Sequence, residues 1–427
     1  MRKCLGIAFL IFGLIQLGFR GTQRIRHDVP LWDFVSVHAA ARTWAYGGDP
    51  YDLQSVLITW HTAGIFTDRD VSYFAPVYPP TSLVMMIPLA IVPAAPAMVI
   101  WLVFTILLLT VQLMALADLA GLDRRDARLL VLIGASIASA PLQFGILSGQ
   151  LSLPAISMCI IAVWCASRHR EIFAGLLIGL ACALKPQIGG TFFVYYLFLR
   201  RFRVAGLALL VGGLIGAIAL LGMKYSQIDW MSGWSHNVAA TRAIGGVNDY
   251  GWANPFRDEI IDLKIILVSS GLSDFTLRGF VVCIVLILIA SYLIWFPRGI
   301  SRTARNELPA LACLAAISLM PVYHRVYDAS LLTIAFAWAL AERDGSRRRE
   351  TILLLAPMCL FLIPFDIVKS LGNRLPIITE SSKTDWWQSL IAPHYAWGLL
   401  ATTVGLLIVM AGINRSATES LPIEINR

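Results

Sequence analysis

The strongest constraint on this chain is a succession of twelve apolar runs, at about residues 4–19, 96–117, 129–146, 150–167, 171–184, 187–199, 204–222, 277–296, 307–322, 328–341, 351–366 and 394–413. A helix needs about 20 apolar residues to cross a bilayer, and spanning backbone must satisfy its own hydrogen bonds. Runs of this length and number predict an all-α polytopic membrane protein with about 12 transmembrane helices. The composition agrees: 58% of residues are hydrophobic and 14% charged, with a mean hydropathy of +0.72, against roughly half and a quarter in soluble domains. Twelve crossings use about 240 residues. Nearly half of the 427 residues are left for loops, more than a minimal channel requires.

Between the runs lie five basic clusters, Arg124/Arg125/Arg128, Arg168/Arg170, Arg200/Arg201/Arg203, Arg298/Arg302/Arg305 and Arg343/Arg347/Arg348/Arg349. Such clusters mark cytoplasmic loops. All five share a side with Arg2-Lys3 only if the chain crosses once between 81 and 117. The stretch Ser82 to Pro93, short and set among prolines at 79, 80, 88, 93 and 96, is therefore read as an interfacial helix. Segments 171–184 and 187–199 become a hairpin of two short helices with Lys185-Pro186 at its outer tip. Both termini then lie in the cytoplasm. Long extracytoplasmic loops carrying interfacial helices fall at 20–95, 223–276 and 367–393, with outer tips near Gln150, Lys185 and His324. Long loops translocate regardless of charge, so Arg20, Arg24 and Arg26 are compatible with this topology. Gly18-Phe19-Arg20 is a poor cleavage site, which reads the first run as a retained span. No repeat or low-complexity linker divides the chain, and 1–427 is read as one integral membrane domain.

The net charge is +8, from 34 Lys and Arg against 26 Asp and Glu. In a membrane chain such an excess fixes topology and does not mark a nucleic-acid partner. The seven cysteines are odd in number, unpatterned and set in or beside apolar runs. They read as small packing residues, not as a disulfide framework or a zinc site. No H-E-x-x-H, G-x-S-x-G, Walker or dinucleotide-binding fingerprint occurs, and no metal or cofactor is expected.

Trp32-Asp33-Phe34-Val35-Ser36-Val37-His38-Ala39-Ala40-Ala41-Arg42, running on to Gly47-Gly48-Asp49-Pro50-Tyr51, predicts a short amphipathic helix along the outer membrane surface, ended by the glycines and turned by Asp49-Pro50. Asp33 at its start reads either as an N-cap or as a general base at the membrane boundary. His38 and Arg42, four apart, share a face that either binds an anion or is simply solvated. Tyr78-Pro79-Pro80 makes a rigid entry to the next apolar segment, with an aromatic at belt depth. Lys185 is either a lysine snorkelling at a hairpin tip or a cation facing a lipid-linked phosphate, and Gly149-Gln150 caps another outer tip. Between two later runs, Tyr323-His324-Arg325-Val326-Tyr327-Asp328 places a His, an Arg and an Asp inside five residues. This suits a phosphate or diphosphate head group held by His324 and Arg325 with Asp328 orienting one of them; a tight turn is the plainer reading. In the second loop Trp230, Trp234, His236, Asn237, Trp252 and Asn254 offer the aromatic faces and amides that hold sugars, although tryptophans belong at an interface in any case.

The segments WDFVSVHAAARTWAYGGDPYD, YPPTSLVMMIPLAIVP, FGILSGQLSLP, AGLLIGLACALKPQ and MPVYHRVYDASLL, in order over roughly residues 20–340, resemble glycosyltransferase family 87. That group has the GT-C architecture and includes polyprenol-phosphate-mannose-dependent alpha-1,2-mannosyltransferases. The resemblance implies an enzyme that takes a hexose, mannose above all, from a polyprenyl-phosphate donor and passes it to a hydroxyl of a glycolipid or polysaccharide acceptor at the extracytoplasmic face of the cell membrane. Asp33 falls on the family's first-loop catalytic aspartate. Lys185 and His324 fall on basic positions facing the donor phosphate, with Arg325 beside them. Tyr78 matches the aromatic before the paired prolines, and His38, Arg42, Gln150, Trp252, Asn254 and Asp328 complete the expected donor or acceptor contacts. Trp252-Ala253-Asn254-Pro255 departs from the family's Asn-x-Ser-like segment near the end of the second loop. A phosphate is a good leaving group, so one base and two or three cations suffice without a metal, and a single displacement inverts the anomeric centre.

Two other classes fit the same composition. A transporter or flippase of lipid-linked sugars has many spans and broken helices, but places its ionisable groups near the midplane of repeated halves, whereas here they gather toward one surface. A ligase moving a whole glycan from a lipid diphosphate would share the outer site and use more arginine.

Overall fold

The computed structural model describes residues 2–27, 29–64, 75–296, 304–343, 347–366, 380 and 384–419. Residues 65–74 of the first expected loop, most of the third at 367–393, and Arg298 and Arg302 of the fourth basic cluster lie outside them. Among the described residues the chain consists of helices joined by turns, with one isolated antiparallel bridge between Ile260 and Arg325 and no strand.

The helices follow the apolar runs. Among the described residues five are long and apolar enough to cross a membrane: Lys3–Thr22, Ala94–Leu119, Phe202–Tyr225, Asp274–Trp295 and His394–Arg415. A sixth follows if Ala127–Ala138 and Ala140–Ser148 count as one broken span. Of the remaining runs, 150–167, 171–184 and 187–199 each fold as one shorter helix, and others are interrupted by proline or local tightening. Run 129–146 breaks at Ser139, two residues before Pro141, whose ring cannot continue a helix already under way. Run 328–341 opens with a 3-10 turn, Val326–Leu332, and run 351–366 closes with another, Cys359–Leu362. Helix Phe202–Tyr225 exposes Leu209, Leu210, Leu214, Ile218 and Leu221, and Asp274–Trp295 exposes Val282, Leu286, Ile287 and Ile294. Apolar faces of that extent belong against lipid. The protein is an all-helical, multi-pass membrane protein.

The chain divides into two compact units. One comprises residues 8–115 and 140–257, the other 1–7, 116–139 and 258–427. In the first unit, helix Glu171–Leu184 packs against Ser152–Ser167 and, most extensively, against Phe202–Tyr225. Gly175 and Gly179 make the second contact possible: a Cβ on either would lie 2.8 or 2.9 Å from the carbonyl oxygen of Val204 or Ala208. This is the close backbone approach that small residues four apart allow between membrane helices. Helix Trp32–Ala45 packs on Pro80–Ala90 and on Leu53–Thr62. Its buried residues, Phe34, Val35, Val37 to Ala41, Thr43 and Trp44, cover most of its circumference. The helix is thus an internal element of its unit, where the sequence predicts a one-sided surface helix. In the second unit, His394–Glu419 packs against Arg348–Met358, Ala304–Ser318 and Asp274–Trp295, and the segment 260–263 lies along 320–325 through bonds from Ile261 N to His324 O and from Leu263 N to Met320 O.

Candidate active site

Helix Trp32–Ala45 begins after Leu31, which takes the left-handed conformation at φ 50°, and Asp33 stands in its first turn. Asp33 is not the N-cap. A carboxylate there is favoured by the helix dipole, and its Oδ2 accepts a hydrogen bond of 3.1 Å from Nε2 of Gln150. The amide oxygen of Gln150 accepts from the Tyr78 hydroxyl at 2.6 Å and from the Leu151 N–H at 2.9 Å. Three contacts press the turn carrying Gln150 against the Asp33 helix. Gly149, at φ +67°, lies where a Cβ would meet that of Phe34 at 2.7 Å, so the position accepts only glycine. Trp101 donates to the Gly149 carbonyl at 2.8 Å and stacks on Phe34 with centroids 5.4 Å apart.

Tyr78 is held in turn by its own backbone. The carbonyls of Pro76, Val77 and Tyr78 accept from Asn237 Nδ2, Trp234 Nε1 and Tyr51 OH at 3.1, 2.8 and 2.9 Å. Asn237 also donates to Tyr51 O at 2.9 Å. Burial, and secondarily Asp49, pushes the Tyr51 phenol far above its ordinary pKa, which keeps it a donor. Thus Trp234 and Asn237, which the sequence offers as sugar contacts, anchor the chain that presents Tyr78.

Lys185 is the single residue between helices Glu171–Leu184 and Pro186–Phe198. It is 9% exposed, and its ammonium bonds the hydroxyl of Ser152, two residues beyond Gln150. The corner is tight: a Cβ on Gly189 would collide with the backbone of Cys182, and Ser82 donates to Leu184 O at 2.8 Å.

His38 and Arg42 are turned elsewhere. His38 Nε2 bonds the carbonyls of Leu89 and Val92 at 3.1 Å each, and Arg42 Nη1 donates to Ala90 O at 2.7 Å. Together they satisfy carbonyls at the end of helix Pro80–Ala90, where Leu89 O also accepts from Val92 N in the following turn. Burial first, then the Arg42 charge, lowers the His38 pKa against the opposing effect of its backbone bonds. Arg42 also borders a groove of about 400 Å³ with Tyr46, Ser55 and Thr59. Asn254 is buried and donates to the carbonyls of Val247 and Asp249. Trp252 is exposed, with the Arg257 guanidinium 4.8 Å over its ring. These residues organise the end of the second loop.

In the other unit, His324 and Asp328 are 2% and 1% exposed, and Nδ1 of His324 donates to Asp328 Oδ2 at 2.8 Å. That bond fixes the ring and leaves Nε2 as the nitrogen for a ligand. Arg325, also buried, bonds Glu259 Oε2 at 2.9 Å and the Tyr323 hydroxyl. Burial opposes its charge, but Tyr323, Glu259 and Tyr327 more than offset this and hold its pKa above the ordinary value. Glu259 is absent from the sequence reading, although Arg257-Asp258-Glu259 is the densest charge in its loop. Among the described residues no three His, Cys, Asp or Glu side chains gather as a metal site would require.

The structure therefore joins Asp33, Gln150 and Tyr78 directly, sets the Lys185 ammonium on Ser152, two residues beyond Gln150, and groups His324, Arg325 and Asp328. Residues 77–323 match the model of glycosyltransferase family 87. No curated protein and no solved structure matches the chain. The matched stretch includes Tyr78, Gln150, Lys185, Trp252 and Asn254; Asp33, His38 and Arg42 precede it, and His324, Arg325 and Asp328 follow it.

Proposed function

The chain belongs to glycosyltransferase family 87, and on the premise that it is a membrane glycosyltransferase we propose that it transfers a hexose, mannose by preference, from a polyprenyl-phosphate donor to a hydroxyl of a glycolipid or glycan. Asp33 is the base. The acceptor oxygen forms the new bond to the anomeric carbon as the bond to phosphate breaks; the electron pair leaves with the polyprenyl phosphate and the acceptor proton goes to Asp33. One displacement inverts the centre, so a beta-linked donor gives an alpha product. Lys185 and His324 are assigned to the phosphate as charge-bearing or hydrogen-bonding groups, His324 through Nε2 with Asp328 orienting its ring. The departing phosphate needs no acid and no metal.

The observation that carries this reading is the Asp33 carboxylate, held at the start of a buried helix by an amide from inside the family-matched stretch. The basic clusters between the apolar runs support about twelve crossings of the cell membrane, GT-C style, with cytoplasmic termini and the site on the extracytoplasmic face. Arg325, paired with Glu259, serves the His324 loop as a brace in addition to any contact with phosphate.

The test is transfer by purified protein in nanodiscs, supplied with polyprenyl-phosphate-mannose and a panel of mannosides, with and without chelator. Wild type is expected to form an alpha-linked product unaffected by chelator, and Asp33→Asn to lose about 10²–10⁴-fold in turnover while still binding donor. Turnover by Asp33→Asn at the wild-type rate removes Asp33 as base. Tight donor binding without transfer, accompanied by flipping of the donor across vesicles, favours a transporter.

A further inference from the structure

From its sequence Gln150 reads as a donor or acceptor contact, but its amide is engaged by the protein itself at both ends. The orientation of that amide is determined independently of Asp33. A backbone N–H can only donate, so the Gln150 atom 2.9 Å from Leu151 N is the oxygen. The nitrogen is then the atom turned toward Asp33, 3.1 Å away. The side chain is 1% exposed, and the turn carrying it is fixed by Gly149 and Trp101. Tyr78, which supplies the second bond to the oxygen, sits on backbone whose carbonyls are held at 76, 77 and 78. Neither end of the sequence Tyr78, Gln150, Asp33 can drift.

We propose that Gln150, held by Tyr78, is the positioning residue for Asp33: its Nε2–H fixes one carboxylate oxygen and so sets the direction from which the other takes the acceptor's proton. The inference rests on Asp33 being the base. The two donors on the amide oxygen polarise the amide and strengthen the bond its nitrogen makes. Other titratable groups on the surrounding elements also make bonds of their own. Lys185 lies on Ser152, and His38 and Arg42 on the carbonyls at 89 to 92. Arg20 bonds Gln143 in helix Ala140–Ser148, and Arg257 bonds Tyr250 O beside Phe256, whose ring is 5.6 Å from that of Trp32.

Gln150→Glu is the informative variant. A carboxyl keeps one oxygen for Leu151 N–H and Tyr78 O–H and puts the other where Nε2 stood. Two carboxyls at that distance share a proton instead of both ionising. Carbodiimide modification of Asp33, followed by mass spectrometry across pH on protein in nanodiscs, reads its protonated fraction with no substrate present. The modification midpoint is expected to rise by at least one pH unit in Gln150→Glu and by less in Tyr78→Phe, which removes only the outer bond. With polyprenyl-phosphate-mannose and an alkyl mannoside, the acid limb of kcat should move with the midpoint while KM changes little. Midpoints equal to wild type overturn the proposal, and Tyr78→Phe keeps that outcome accessible should Gln150→Glu fail to fold. A moved midpoint with an active Asp33→Asn leaves the positioning standing and removes the base assignment. An inactive Asp33→Asn with unmoved midpoints removes the positioning alone.

Discussion

Glu259→Ala takes a carboxylate from a buried cation. The Glu259 and Arg325 side chains are 8% and 6% exposed and meet at 2.9 Å, so the pair exists almost without water. A guanidinium cannot neutralise itself by losing its proton. Once Glu259 is gone, the guanidinium keeps the phenols of Tyr323 and Tyr327 beside it but loses this carboxylate. Breaking a buried ion pair by removing one partner costs about 3–5 kcal/mol. For a unit of about two hundred residues this lowers the melting temperature by roughly 6–20 °C. The companion variant Glu259→Met with Arg325→Met removes both charges and fills the space, and should melt close to wild type because a buried pair is often neutral against an apolar replacement. A thiol-reactive dye reads both melts. Cys313, in the same unit, is fully buried and reacts on unfolding, while Cys4, Cys283 and Cys359 are exposed and set the baseline. A melt for Glu259→Ala within about 2 °C of wild type, or a double variant as unstable as the single, would refute the argument.

Other expectations follow from the same physics. Gly179→Leu should cost more than about 3 kcal/mol, since its first carbon already falls 2.7 Å from Val211 Cβ and 2.9 Å from Ala208 O. Gly190→Ala, with nothing within 4 Å, should gain roughly 0.5–1 kcal/mol from helix propensity; equal melts for the two variants would contradict the packing account. His38 has a folded pKa below its ordinary 6.5, chiefly through burial. Above that value both states are neutral. As pH falls from 6.5 toward the lowered value the unfolded chain takes up a proton that the folded one refuses, and stability is lost. His38→Gln should therefore flatten the fall in melting temperature between about pH 7 and pH 5, and an unchanged slope would count against a buried neutral imidazole.

Helix positions were legible because apolar runs and breakers are local signals. Gly47 and Gly48 close the Trp32–Ala45 helix, and Asp49 turns the chain by accepting from Tyr51 N. Lys185-Pro186 separates two helices at the expected residue. The span count was less legible. An apolar run does not show whether a proline such as Pro141 will break it or whether its first turn will tighten to 3-10. In the site, the residue types were legible and their partners were not. The bond from Gln150 to Asp33 joins positions 117 apart, and no local pattern encodes it. His38 and Arg42 share a helix face as the spacing predicts, but the carbonyls they meet belong to a helix some fifty residues on. Glu259 escaped because its role exists only once 258–263 lies beside 320–325.

The grip on carbonyls 76, 77 and 78 makes the entry to helix Pro80–Ala90 a tether of fixed length. Three successive carbonyls and one phenol set its register against Gln150, so a single residue inserted between 76 and 78 would turn the Tyr78 phenol away from the amide. The donors come from far apart in the chain, Tyr51 on one side and Trp234 and Asn237 on the other, and all three hold main-chain oxygens. The tether thus tolerates a change of side chain at 76 or 77 more readily than a change in the number of its residues.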